Sequence, residues 1–332
     1  MNKQLICGDI GGTKTLLQAA EIRDGQAREL FSRRYDNHKF ATFSEILQDF
    51  LNRTGERNSL LSACFAVAGP VVTQQAKLTN LPWQISSNDI STEFSIPSVK
   101  LINDFEAAAL GIESLSSGDM ATLQAGQSVA HSMRVVLGAG TGMGVAWLTW
   151  LEGRYFAVPT EAGHMDFAPT SEQQIQLLET LHNKFGHVSV ERLLSGSGLT
   201  NIFKFLQLSS PTASNLAPIH LEDDSGATIT TLALTHHHPI AIKSIQLFAE
   251  IYGAYAGNLA LAGLTRGGVY IAGGIAPKII SILKLDGFMQ AFRAKGRFSD
   301  LMLEFPVFII TNPEVSLLGA KQEARRLLNS HS

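Results

Sequence analysis

Two glycine-rich turns, each entered and left through an apolar run, constrain this chain more than any other feature. The first is Leu5-Ile6-Cys7-Gly8-Asp9-Ile10-Gly11-Gly12-Thr13, followed by Thr15-Leu16-Leu17-Gln18-Ala19-Ala20. The second is Val135-Val136-Leu137-Gly138-Ala139-Gly140-Thr141-Gly142, followed by Gly144-Val145-Ala146-Trp147-Leu148. Apolar runs of this length read as buried strands, and glycines there supply the positive φ angles of a tight turn and let a ligand approach the backbone closely. Each unit is therefore a β-hairpin whose turn can present backbone N–H groups to a phosphate. A hairpin met twice suggests duplicated halves with a nucleotide between them.

The two commoner phosphate patterns fail on inspection. A Walker A loop ending at Lys14-Thr15 needs a glycine where Thr13 stands, and a helix afterwards rather than a strand. Gly138, Gly140, Gly142 and Gly144 alternate with other residues, so no Gly-x-Gly-x-x-Gly dinucleotide fingerprint passes through them. The paired hairpins resemble instead the ATP cleft of the actin, Hsp70 and hexokinase type, and that resemblance implies that an acidic residue of the first hairpin, here Asp9, holds Mg²⁺, often through water.

Length and charge narrow the field. With 332 residues the chain has material for two domains, and 26 basic against 29 acidic residues leave a net charge of −3 without a basic stripe, which argues against nucleic acid as a partner. No apolar run reaches the ~18 residues of a membrane span, and Met1-Asn2-Lys3-Gln4 leads straight into a strand, so a cytoplasmic protein without membrane contact is expected. Cys7 and Cys64 sit in apolar strand-like runs and read as small buried thiols. Strand and helix signals alternate as in α/β layers: Leu60 to Pro70 reads as a core strand, Val99 to Asp104 as a short strand, and Phe105 to Leu110 as a helix. Gln207 to Pro218 reads as a surface loop, His236-His237-His238 before Pro239 as a helix start, and Gly253 to Gly263 as a tightly packed helix.

The motifs at these strand ends, taken in order, resemble the bacterial glucokinase family. They are Asp9-Ile10-Gly11-Gly12-Thr13, Ala68-Gly69-Pro70-Val71, Leu78-Thr79-Asn80-Leu81-Pro82-Trp83, Ile102-Asn103-Asp104-Phe105 and Gly138 to Gly144. They continue through Glu161-Ala162-Gly163-His164-Met165-Asp166-Phe167, His187 to Gly196, Ala272-Gly273-Gly274-Ile275, Lys295-Gly296-Arg297-Phe298 and Asn312-Pro313, which spans essentially the whole chain. An attacking sugar hydroxyl needs a carboxylate to take its proton, and Asp104 is a candidate, although Asn103 or Asp104 could equally cap the helix at Phe105. The resemblance implies that Asp104 is the general base and that Asn103 contacts the sugar. It assigns Glu161, His164 and Glu191 to the ring hydroxyls, places Thr79 and Asn80 near the sugar, and lays Gly273-Gly274 along adenosine. Read alone, Glu161 and His164 with Asp166 also suit a metal, and Ser189 with Glu191 an ordinary helix start. Trp83, Trp147 and Trp150 read as packing residues.

The chain departs from the commonest pattern at Lys14, where asparagine is usual, and at Ala162, where glycine is frequent. Lysines on strand surfaces usually stay solvated, and Lys14 is read that way rather than as a phosphate ligand. Repressor-type sugar kinases carry a cysteine-rich zinc loop after Glu-x-Gly-His, and no cysteine follows here, so no zinc is expected. The expectation is thus a two-domain α/β protein of the actin-like, ribonuclease H-like fold, with ATP and sugar in the interdomain cleft. Residues 1–114 with 311–332 would form the small domain and 115–310 the large one. Gly11, Gly12, Thr13, Gly138, Gly140, Thr141, Gly142, Gly273 and Gly274 would bind ATP, and Asp9 the Mg²⁺. The expected reaction is phosphorylation of glucose at its 6-hydroxyl. A kinase for another hexose or an N-acetylhexosamine would share these residues, and a non-catalytic sugar-binding regulator is the rival of a different class. The resemblance favours a homodimer.

Overall fold

Both glycine turns close antiparallel hairpins, and each hairpin forms the antiparallel side of a mixed sheet. The computed structural model describes residues 3–23, 26–54, 60–78, 81–209 and 217–329. By contact the chain forms two compact units, Met1–Ser116 with Asn312–Ser332, and Ser117–Thr311.

In the first unit the strands are β1 (Gln4–Ile10), β2 (Lys14–Arg23), β3 (Gln26–Asp36), β4 (Leu60–Val67) and β8 (Ser98–Asn103). They lie in the order β3-β2-β1-β4-β8, with β1, β2 and β3 antiparallel and β1, β4 and β8 parallel. A small antiparallel sheet, β5 (Val71–Val72), β6 (Gln75–Lys77) and β7 (Gln84–Ser86), leads into α2 (Ser87–Phe94). Alternation along the strands buries Ile6, Ile10, Leu17 and Phe65 with α1 (Phe43–Thr54), whose Phe43, Ile46, Leu47 and Phe50 recur at helical spacing. Trp83 joins this core, as expected of a packing residue.

The C-terminal helix, Val315–Asn329, returns to this unit. Ser62 donates to the Ala324 carbonyl at 2.8 Å, and Glu323 accepts from Lys100 at 2.8 Å and from Arg326 at 3.1 Å. Against α3 (Asp104–Gly111) the helix packs backbone to backbone. A Cβ at Gly319 would run into the Ala107 carbonyl oxygen, and one at Gly111 into that of Val315.

In the second unit β9 (Met120–Gln124), β10 (Arg134–Ala139), β11 (Met143–Leu151), β12 (Arg154–Thr160), β13 (Val269–Ala272) and β14 (Val307–Ile310) form the sheet β12-β11-β10-β13-β14-β9. Its core is covered by α4 (Glu172–Phe185), α5 (Gly196–Ser209), α6 (Gly226–Leu234) and α7 (Pro239–Gly263). The glycines of α7 do serve packing: Cβ atoms at Gly253 and Gly257 would strike the carbonyl oxygens of Phe288 and Phe292. His238 caps α7, Cys7 and Cys64 are buried free thiols, and residues 210–216 of the expected surface loop lie outside the described residues. Among the described residues no helix is long and apolar enough to cross a membrane.

A glycine inside a helix normally gains up to ~1 kcal/mol when changed to alanine. Gly319→Ala should reverse that sign and cost ~1–3 kcal/mol, because the methyl forces two helix backbones apart. A urea titration reads this directly, and an unchanged or higher midpoint would show that the helices can separate at no cost.

Candidate active site

At the first turn, Gly11, Gly12 and Thr13 join Ile10 to β2, closed by the Gly11 N–H donating to the Lys14 carbonyl at 2.9 Å. The turn is braced from below by Asn37, which is fully buried. Its amide donates to the Gly11 carbonyl at 2.8 Å, its oxygen accepts from Thr15 at 2.8 Å, and its N–H donates to the Thr13 carbonyl at 3.0 Å. One expectation needs correcting here. None of Gly11, Gly12, Gly138, Gly140 and Gly142 takes a positive φ, since each loop is long enough to reverse the chain without a primed two-residue turn. Lys14 is exposed at the start of β2.

Asp9, on β1, is partly buried, and burial pushes its carboxyl up to about 6; the Arg34 guanidinium opposes the shift and Glu314 adds to it. Asp104 opens α3. Burial, and after it the charge of Asp9, push its carboxyl up to about 7, against hydrogen bonds from backbone N–H groups and Asn103. Two carboxyls held this way can exchange protons near neutrality. Asn103 caps α3 in earnest: its Oδ1 accepts from the N–H groups of Phe105 at 2.8 Å and Glu106 at 3.4 Å. Its Nδ2 donates to the Gly69 carbonyl at 2.9 Å, and the side chain also hydrogen-bonds the Asp104 carboxyl, so the amide ties helix cap, loop and acid together. Capping and support of the neighbouring acid are therefore compatible in this residue.

The junction is clamped a second time. β8 is an edge strand, and the side chain of Gln74, at the tip of the β5–β6 hairpin, serves its free edge as a strand would. Gln74 accepts from the Leu101 N–H at 2.8 Å and donates to the Leu101 carbonyl at 3.2 Å, while its own carbonyl takes the Ser87 N–H at 3.1 Å. Gln74 sits at φ 60 after Thr73 at φ 48, the left-handed pair of a tight hairpin turn.

In the second unit the second turn and the third glycine pair meet. A Cβ at Gly138 would lie 2.7 Å from the Ala272 carbonyl, and one at Gly273, which has φ +81, 2.5 Å from the Ala139 oxygen. Over Gly274 a Cβ would meet nothing, so the turn offers an open, flat face. Tyr252 braces this turn as Asn37 braces the first, its hydroxyl accepting from the Ala139 N–H at 3.2 Å and donating to the Leu137 carbonyl at 3.4 Å. Gly140 accepts from the Gly196 N–H at 2.9 Å, and Thr141 is exposed.

Met143 then gathers the remaining polar candidates. Its N–H donates to Glu191 Oε2 at 2.9 Å, which also crowds Gly142, and its carbonyl lies where a Cβ of Gly163 would stand. Gly163 sits in the short turn Ala162–His164, directly after Glu161, and Tyr255 donates to the Ala162 carbonyl at 2.7 Å. The two loops are laced together by Val190 N–H to Met165 O at 2.9 Å and Phe167 N–H to Val188 O at 3.0 Å. Glu161, His164 and Glu191 are thus brought around one residue, with Glu161 and His164 exposed. Asp166 turns instead to His187, at 2.7 Å. Thr79 and Asn80 lie outside the described residues.

Asn37, Gln74 and Tyr252 had no motif to reveal them; each acts on backbone far away in sequence. Among the described residues no group of three or more His, Cys, Asp or Glu is placed to hold a metal. Mg²⁺ needs no such cage, since it is commonly held by one or two carboxylates together with substrate phosphates. Asp9, whose proton affinity burial has raised and whose charge in turn raises that of Asp104, is a fitting ligand for it.

Comparison with known proteins places these features in context. The profile of one protein family, Glucokinase, matches residues 6–327. A glucokinase of Nostoc punctiforme is 41% identical, covering 97% of this chain and 99% of its own. The crystal structure of a glucokinase from an Antarctic psychrotroph superposes with a TM-score of 0.84 at 28% identity, over 98% of this chain and 99% of that one. A glucokinase of the ROK family from Streptomyces griseus, in complex with glucose and AMPPNP, shares the fold at a TM-score of 0.60 and 21% identity, over 97% and 99% of the two chains.

The raised carboxyl of Asp104 has a consequence for stability. A carboxyl that binds its proton more tightly when folded than when unfolded loses stability for the fold as pH rises, across the window from an unfolded value of about 3.9 to the folded value of about 7. Asp104→Asn removes that penalty. Without nucleotide, sugar or divalent cation, the variant should melt above the wild type at pH 8, with the gap closing toward pH 4. A gap of the same size at both values would mean that the ionised carboxylate carries no strain.

Proposed function

The chain belongs to the glucokinase family, and from that membership we propose that it transfers the γ-phosphoryl group of ATP to the 6-hydroxyl of glucose, with Asp104 as general base. The observation that carries this reading is Asp104 itself, a carboxyl at the head of a clamped helix whose proton affinity sits at about 7. An alcohol attacks phosphorus poorly until its proton has somewhere to go, and a base is most effective when its pKa lies near the working pH. As the 6-oxygen bonds to the γ-phosphorus in line, Asp104 takes the hydroxyl proton and the bond to the bridging oxygen breaks, releasing ADP. Asn103 contacts the sugar with the amide that it otherwise turns to Asp104.

The backbone N–H groups around Gly11, Gly12 and Thr13, and around Gly138, Gly140, Thr141 and Gly142, hold the phosphates, and the open face of Gly273-Gly274 takes the adenosine. Mg²⁺ held through Asp9 would offset phosphate charge. Glu161, His164 and Glu191, with Thr79 and Asn80, bind the ring hydroxyls, since a sugar needs rigid groups that both accept and donate. That AMPPNP and glucose are bound in the Streptomyces griseus protein of the same fold supports an ATP donor and a glucose acceptor here.

A coupled assay with ATP and a panel of hexoses and N-acetylhexosamines tests the reaction and the acceptor together. Asp104→Asn keeps shape but cannot take the proton, so kcat should fall by ~10²–10⁴ while glucose affinity changes far less. Near-normal turnover in that variant would remove Asp104 from the role of base. Glu161→Ala and His164→Ala should raise the glucose KM by the equivalent of ~1–3 kcal/mol per lost partner and leave the ATP KM alone. Glu191→Ala should raise both, because it also frees the Met143 N–H beside the second turn. Were all three to act on ATP alone, the assignment of these residues to the sugar would be wrong.

A further inference from the structure

We infer that Arg34 is a phosphate-binding residue, supplying a fixed cation to the terminal phosphates of the nucleotide at the first glycine turn. The inference deepens the proposed function and rests on its reading of ATP as donor. Strand register carries it. Asp9 on β1 stands opposite Leu16 on β2, and Leu16 stands opposite Arg34 on β3. Residues directly opposite across antiparallel strands share a face, so Asp9, Leu16 and Arg34 form one row, with Arg34 roughly 10 Å of backbone from Asp9. The residue between them is apolar, and the one carboxyl in the row, Asp9, feels the Arg34 charge across it rather than pairing with the guanidinium within 4 Å.

What holds Arg34 now is weak. Its nearest acidic partner is Glu314, just before the C-terminal helix, at 3.8 Å, and both side chains are about half exposed. Exposed pairs at that separation contribute little, and a polyphosphate presents more charge and a geometry that a guanidinium fork matches with two parallel hydrogen bonds. Lys14, the other cation beside the turn, is placed differently. It stands opposite Asp36, beyond the last residue of β1, and Asp36 is already approached by Lys39 at 3.9 Å. The register thus singles out Arg34 over the lysine that adjoins the glycines in sequence.

The test uses the full chain with Arg34→Met, Arg34→Lys and Lys14→Met. Calorimetry compares AMPPNP with adenosine, which lacks the phosphates, and the ATP and glucose assay is run alongside. Arg34→Met should weaken AMPPNP by ~10–100-fold and leave adenosine unchanged, Arg34→Lys should recover part of the loss, and Lys14→Met should stay within about threefold. The inference is overturned if Arg34→Met binds AMPPNP within threefold of wild type, or loses adenosine to the same degree. Wild-type chain that fails to use ATP would sink the donor reading, and AMPPNP calorimetry would still decide for or against Arg34.

Discussion

Like charges repel most where water screens them least, and this fold sets Asp9 and Asp104 close enough that the charge of one raises the proton affinity of the other. Much of the first unit reads as the framework that tolerates this. Asp9 sits on β1 and Asp104 just past the end of β8, with β4 between those strands, its Ala66 opposite Asp9 on one side and Ile102 on the other. Asp104 cannot retreat, because Asn103 is tied to the helix head and to Gly69 at once, and Leu101 is gripped by Gln74. A free carboxylate would turn toward water. Here the backbone that carries it has been denied that freedom.

The same architecture is used twice with different fittings. In each unit a three-stranded antiparallel meander passes its first strand to parallel neighbours, and the turn after that strand is braced by one buried polar side chain. In the first unit the brace is a short amide, Asn37, which bonds the turn itself. In the second it is the long phenol of Tyr252, which reaches the strand end from α7. A hydrogen-bonding group is needed at both places, since buried backbone polar groups are costly to leave unpaired.

The hairpins, the helix after Ile102 and the packed glycines of α7 were legible because each is written in consecutive residues whose chemistry is local: apolar alternation, a cap, a breaker. The order of motifs added the family. What could not be read was any contact made across register. Gln74 is one polar residue in a polar hairpin, and only the fold reveals that its amide stands in for a missing strand at Leu101, well along the chain. Arg34 is one of two consecutive arginines in β3, and the pairing with Leu16 and Asp9 appears only once three strands are aligned. The glycines of the two turns were legible as glycines but for half the reason: close approach matters at Gly138 and Gly142, whereas left-handed backbone belongs to Gly69 and Gly273.

The helix that seats α3 comes from the far end of the chain, and this ties function to the order of synthesis. Domains tend to fold from the N-terminus as the chain emerges. The first unit cannot follow that habit, because Gly111 and Ala107 have no partner until Gly319 and Val315 have left the ribosome. The second unit, continuous in sequence, can fold before the first is complete. A chain truncated anywhere ahead of its last helix therefore lacks the support beneath Asp104, so that the acid is seated only in a finished molecule.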